Sequence, residues 1–177
     1  TPYPQTSCGP MLAGSAPDLH RPPVDEDAPL SERDIELVQH SFAQAARLGT
    51  KHLGNLLFMN IFKVAPAAEQ LFPFARGEAN PFRPGGGLEL HVMKLMETVA
   101  TAVSLLRDLD QLVPILQTLG LQHTGFGVEA PHYDLVGSAL LSTLEVLLQS
   151  QFTDPVRKAF AKVWKLITVT MLSKNQT

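Results

Sequence analysis

A chain of 177 residues, 45% of them hydrophobic and 18% charged, has the length and apolar content for one ordinary globular domain with its own core. A formal charge of −3 supplies no excess of Lys or Arg to neutralise phosphates, which argues against a nucleic-acid partner. The lone cysteine, Cys8, has no internal disulfide partner, as suits a reducing cytosol, and no run approaches the roughly 20 apolar residues that a membrane-spanning helix requires. The expectation is a soluble, cytoplasmic protein. The chain starts at Thr1 rather than Met, so membrane attachment through a lipidated N-terminus ahead of it stays an open question.

Half of the 14 prolines fall before position 30 (Pro2, Pro4, Pro10, Pro17, Pro22, Pro23 and Pro29), beside the acidic run Asp25-Glu26-Asp27. Proline lacks an amide donor and resists helix interiors, so residues 1–30 read as an irregular, Pro-rich extension. It is either a solvated arm or a segment that regulates the domain or bridges two copies into a homodimer. Ser31, with Asp34 three positions on, carries the pattern of a helix N-cap, and the domain is expected to run from there to Ser173, leaving 174–177 as a tail.

The first helix spans Ser31 to about Leu48, with Ile35, Val38, Phe42 and Ala45 recurring at steps of three and four, and Gly49 stops it. A second covers about Lys51 to Lys63, with Leu53, Leu57, Phe58, Ile61 and Phe62 apolar; Pro66 opens a short helical turn ending near Phe72. Between Pro73 and Gly87 the breakers Pro73, Gly77, Pro81, Pro84 and Gly85-Gly86-Gly87 predict a loop. Helical period returns from Leu88 to Leu106, placing His91 on one face with Val92, Leu95, Met96, Val99 and Val103. Three further helices follow, about Asp110–Gln122, Pro131–Gln149 and Thr153–Ser173, with Pro131 and Pro155 at first-turn positions. No segment alternates as a half-buried strand does, so the class is all-α, a bundle with oblique crossings.

His123 follows the apolar run Leu112, Val113, Ile115, Leu116, Leu119 and precedes the breaker Gly125 and Phe126-Gly127-Val128. Alone, such a histidine is more often a buried side chain satisfied by a carbonyl than a metal ligand. A second histidine, His91, on the apolar face of another helix, with Phe72 ending a preceding short helix, changes the balance: two imidazoles and an aromatic ring suit a shared guest.

These residues resemble the globin superfamily, and within it the neuroglobin and globin X group, over about Ser31 to Ser173. In A-P-A-A-E-Q-L-F, Pro66 and Phe72 match the family's helix-C proline and its haem-stacking phenylalanine; His123 in L-G-L-Q-H-T-G-F-G-V matches the proximal histidine and His91 in L-H-V-M-K-L-M the distal one. The resemblance implies helices A to H in a three-on-three sandwich around haem, with Phe58 the distal-pocket aromatic, Leu95 at the usual place of a valine, and Val128, Tyr133 and Val136 on the proximal side. Lys94 falls where a cationic partner for a haem propionate is implied; an ordinary solvated lysine is the other reading. Gln122 stands where some globins have a serine.

The physical logic agrees. Iron in haem takes a neutral imidazole as its fixed axial ligand, and the second ring nitrogen of His123 needs an acceptor, for which the carbonyl of Leu119 one turn earlier is in reach. Contacts with Phe58, Phe72, Leu95 and Val128 would retain the macrocycle by burial, and with no C-x-x-C-H motif the cofactor is expected to be haem b. His91 either donates a hydrogen bond to bound O₂ or binds the iron itself; similarity to neuroglobin and globin X implies the latter, and Gly85-Gly86-Gly87 would let its helix shift.

Three functions stay open at this level. The first is reversible binding of O₂, CO or NO for storage, transport or sensing. The second is redox catalysis, as nitric oxide dioxygenation, nitrite reduction or electron transfer, which needs an external reductase because no G-x-G-x-x-G motif is present. The third is a haem-free helical interaction module.

Overall fold

The computed structural model describes residues 29–72 and 82–173. Six helices carry this part of the chain: α1 (Glu32–Arg47), α2 (Thr50–Val64), α3 (Gly87–Ser104), α4 (Leu109–Gly125), α5 (Ala130–Leu148) and α6 (Asp154–Leu172). Short 3₁₀ turns at Pro66–Leu71 and Gln149–Gln151 complete them, and no strand occurs among the described residues. Most of the proline-rich extension with Cys8, the first part of the breaker-rich loop (73–81) and the tail at 174–177 lie outside the described residues.

Local chemistry fixes the helix starts. The Ser31 hydroxyl accepts from the Asp34 amide at 3.1 Å while the Ser31 amide donates to Asp34 Oδ2 at 2.9 Å, a reciprocal cap for two otherwise unpaired donors. Asp108 caps α4 from one side only, its carboxylate accepting from the Gln111 amide. Pro131 and Pro155 occupy first turns, where their missing amide costs nothing. Gly49, at φ 110°, separates α1 from α2 in a conformation that a side chain would strain.

One boundary differs from the sequence expectation in a way that matters. α4 runs past the expected stop at Gln122 to take in His123, Thr124 and Gly125, and the left-handed residue that turns the chain away is Gly127, at φ 79°. The amides of Phe126 and Val128 both close on the carbonyl of His123 at 3.0 Å. His123 therefore sits in the last turn of α4.

The core runs continuously from Ile35 to Met171. α2 packs against α3 and α5, α6 against α1, α4 and α5. α1 is tied to the end of α3 by Gln39 Nε2 donating to the Val103 carbonyl at 3.0 Å, and to α6 by Lys162 Nζ on Asp34 at 3.0 Å. At the α4–α6 crossing Gly120 lets two backbones touch, since a Cβ there would collide with the carbonyl of Met171. This frame holds the α2–α3 pair and the α4–α5 corner, the elements that carry the two histidines and their neighbours.

Candidate axial-ligand site

On one side, α2 and α3 bring rings together. Phe58 is buried and meets His91 edge-on at 5.6 Å between centroids; Phe72, at the end of the 3₁₀ turn, stands 5.3 Å from both His91 and Phe58. Phe62 closes the group against Phe58 and Phe72 at 5.7 and 5.9 Å. Burial in this aromatic setting, and then the charges of His123 and Lys94, lower the pKa of His91. Its imidazole is thus held neutral near pH 7, the form that coordinates a metal. The influence of His123 on His91 places the two histidines within electrostatic reach of each other.

On the other side, His123 Nδ1 lies 2.9 Å from the Leu119 carbonyl oxygen. A carbonyl can only accept, so Nδ1 carries the proton and Nε2 keeps its lone pair. The expected bond is present, and it selects the tautomer that a metal ligand needs. Tyr133, in the first turn of α5, sets its ring 6.2 Å from that of His123, and its backbone carbonyl accepts from Trp164 Nε1 at 3.0 Å. The Tyr133 hydroxyl is buried without a hydrogen-bond partner, and burial raises its pKa. A buried phenol of this kind beside an imidazole suits a guest or water supplying the missing contact.

The remaining sequence candidates divide. Leu95, one turn beyond His91, and Leu119, Val128 and Val136 are partly buried and packed on the core. Lys94 is exposed, its charge felt at His91 but its side chain outside the aromatic group. A hollow of about 280 Å³ lined by Gln44, Arg47, Leu48, Leu147, Leu148 and Gln151 lies where α1 and α5 end, at the opposite end of α5 from Tyr133, and holds neither histidine.

Sequence reasoning missed one feature. Glu89, only 8% exposed, pairs with Lys51 and accepts from the Gly85 amide at the entry to α3. Its signal was available: Glu89 lies three and seven residues before Val92 and Met96, so a carboxylate occupies the apolar stripe.

No group of three or more His, Cys, Asp or Glu side chains able to hold a metal ion occurs among the described residues. A metal held at His123 and His91 must bring its remaining donors with it, and a flat macrocycle would do so while packing on the phenylalanines around His91 and the partly buried aliphatic side chains. The residues present fit that group.

Comparison with known proteins leads to the same place. Residues 55–171 match the family model described as Globin. The chain is 31% identical over 144 residues to neuroglobin of Danio rerio and 30% identical over 144 residues to neuroglobin of Dissostichus mawsoni, in each case across 80% of this chain and 90% of the relative. Among solved structures, the crystal structure of a hexacoordinated heme protein from an anhydrobiotic tardigrade at pH 4 superposes with a TM-score of 0.75 at 19% identity, covering 86% of this chain and 99% of that one. The shared helical order, the paired histidines and these relatives make the chain a member of the globin family, of the neuroglobin-like kind.

Proposed function

We propose that this globin holds haem b with His123 as the proximal ligand and His91 as the second axial ligand of the resting iron, and that it binds O₂, CO or NO reversibly when His91 lets go. The observation that carries the reading is the His123 Nδ1 to Leu119 carbonyl contact of 2.9 Å, which leaves Nε2 available for a metal, while the second imidazole, His91, is held neutral by burial. When bound, the haem would supply an iron centre able to take a diatomic gas, with His123 and His91 the residues that would hold it.

The chain's own residues do the rest. Leu119 fixes the ring plane and tautomer of His123. Phe58, Phe72, Leu95, Val128, Tyr133 and Val136 wall the slot and exclude water, retaining the macrocycle by burial at roughly 25 cal/mol per Å². His91, once released, keeps an N–H able to hydrogen-bond the incoming gas. Lys94, exposed one turn from His91, would meet a propionate. Electrons to keep the iron ferrous come from an external reductase.

An absorption spectrum of the reduced protein without added ligand tests this directly. A six-coordinate low-spin spectrum is expected. A five-coordinate high-spin spectrum overturns the role given to His91, and absence of a Soret band overturns haem binding altogether. Rapid turnover with nitrite under reductant would move the function from gas binding to redox catalysis.

A further inference from the structure

We infer that Lys51 and Glu89 form a clasp that positions His91, so that this ion pair sets how firmly the distal imidazole holds the iron. The inference rests on the bis-histidyl reading above.

The entry to α3 has no side-chain cap of its own, because Gly86 occupies the cap position and Gly85 before it sits at φ 74°. Glu89 supplies the anchor from inside the helix. One carboxylate oxygen pairs with Lys51 in the first turn of α2, and the other accepts from the Gly85 amide, so both oxygens tie α3 to elements outside it. The Glu89 side chain is 10% exposed, and that of Lys51 is 52% exposed. Three residues beyond Lys51, Gly54 meets Val92 and Met96 so closely that a Cβ there would collide with both. The start of α2 thus grips α3 at two points, and His91 lies between Glu89 and Val92 in sequence. Four residues beyond Gly54, Phe58 faces His91. One helix therefore holds both the ring that His91 packs against and the cation that pins its backbone.

Removing the cation leaves a carboxylate with little access to water and no counter-charge, an arrangement that rearranges rather than persists. Glu89 then turns outward and carries the glycine-flanked first turn with it, and His91 loses its fixed approach to the metal.

The test uses the haem-loaded ferrous full chain with Lys51→Met, Lys51→Arg and Glu89→Gln. Two quantities are read: the rate at which His91 leaves the iron, from CO binding in stopped flow, and amide exchange across residues 87–92. Lys51→Met is expected to speed both by about tenfold, Lys51→Arg to stay within about twofold of the parent, and Glu89→Gln, which keeps an acceptor for Gly85 but loses the ion pair, to fall between. Release and exchange both unchanged in Lys51→Met would overturn the clasp. A five-coordinate parent spectrum would instead overturn the bis-histidyl reading and the link to His91 release. The exchange measurement would then decide the clasp alone, faster exchange in Lys51→Met supporting it and unchanged exchange removing it.

Discussion

Asp34 shows how a single side chain serves two levels of structure. Its carboxylate caps α1 together with Ser31 and receives Lys162 from α6, 128 residues away in sequence. The local half was readable from Ser31 and Asp34 at the spacing of a capping pair; the Lys162 half was not, because nothing in the sequence says which distant lysine comes alongside. Ser31→Ala removes both bonds of the hydroxyl with Asp34, the one it accepts from the amide and the one it donates to the carboxylate, and is expected to lower stability by about 1 kcal/mol in urea unfolding. Burial pushes the Asp34 carboxyl up, but the bonds from Ser31 and the Lys162 ammonium outweigh it and leave the pKa below its ordinary 3.8. A depressed acid stabilises the fold above its unfolded pKa, and that contribution disappears as pH falls through the lower native value. Acid unfolding of Asp34→Asn should therefore show a weaker pH dependence below about pH 4 than the parent. The histidines differ in the same concrete way. His123→Ala loses the ring whose tautomer Leu119 fixes, and should release haem on desalting. His91→Ala should keep the haem and give a five-coordinate ferrous spectrum.

At the scale of helices, periodicity located all six, since apolar residues at steps of three and four must share a face. Ends were harder. The helical α4 residues 123–125 lay beyond the expected stop because Gly125 adopts helical geometry and the left-handed turn falls at Gly127, a choice the sequence G-F-G leaves open. Crossings were not legible either. Gly120 is an unremarkable mid-helix glycine until α6 is laid across it and the Met171 carbonyl meets the space a Cβ would fill. For Gly120→Ala, helix propensity favours alanine by about 1 kcal/mol, whereas overpacking costs about 1–3 kcal/mol. The clashing atom belongs to backbone and cannot swing aside, so the second effect wins. The variant is expected to unfold at lower urea and, because Gly120 lies one turn before His123, to lose haem faster than the parent.

For the molecule as a whole, the two imidazoles and Phe72 stood out because their residue types carry chemistry, and the resemblance also named Tyr133, while the unpartnered burial of its hydroxyl and the Glu89 pairing required helices to be assembled first. The same assembly predicts how the domain depends on its surroundings. Among the described residues the core begins at Ile35, with Leu30 packed on its edge. A ligand that binds only the folded chain stabilises it by about 2.7 kcal/mol at a hundredfold excess over its dissociation constant. For a domain of this size that is roughly 5–11 °C in midpoint. The loss on haem removal should fall unevenly, because the residues proposed to meet the haem axially or beside the proximal ring, His91, His123 and Tyr133, belong to α3, the last turn of α4 and the start of α5, and none belongs to α1 or α6. Amide exchange in the haem-free chain should accelerate first around His91 and His123 and last along α1 and α6. Uniform acceleration would mean that the slot is stable without its guest.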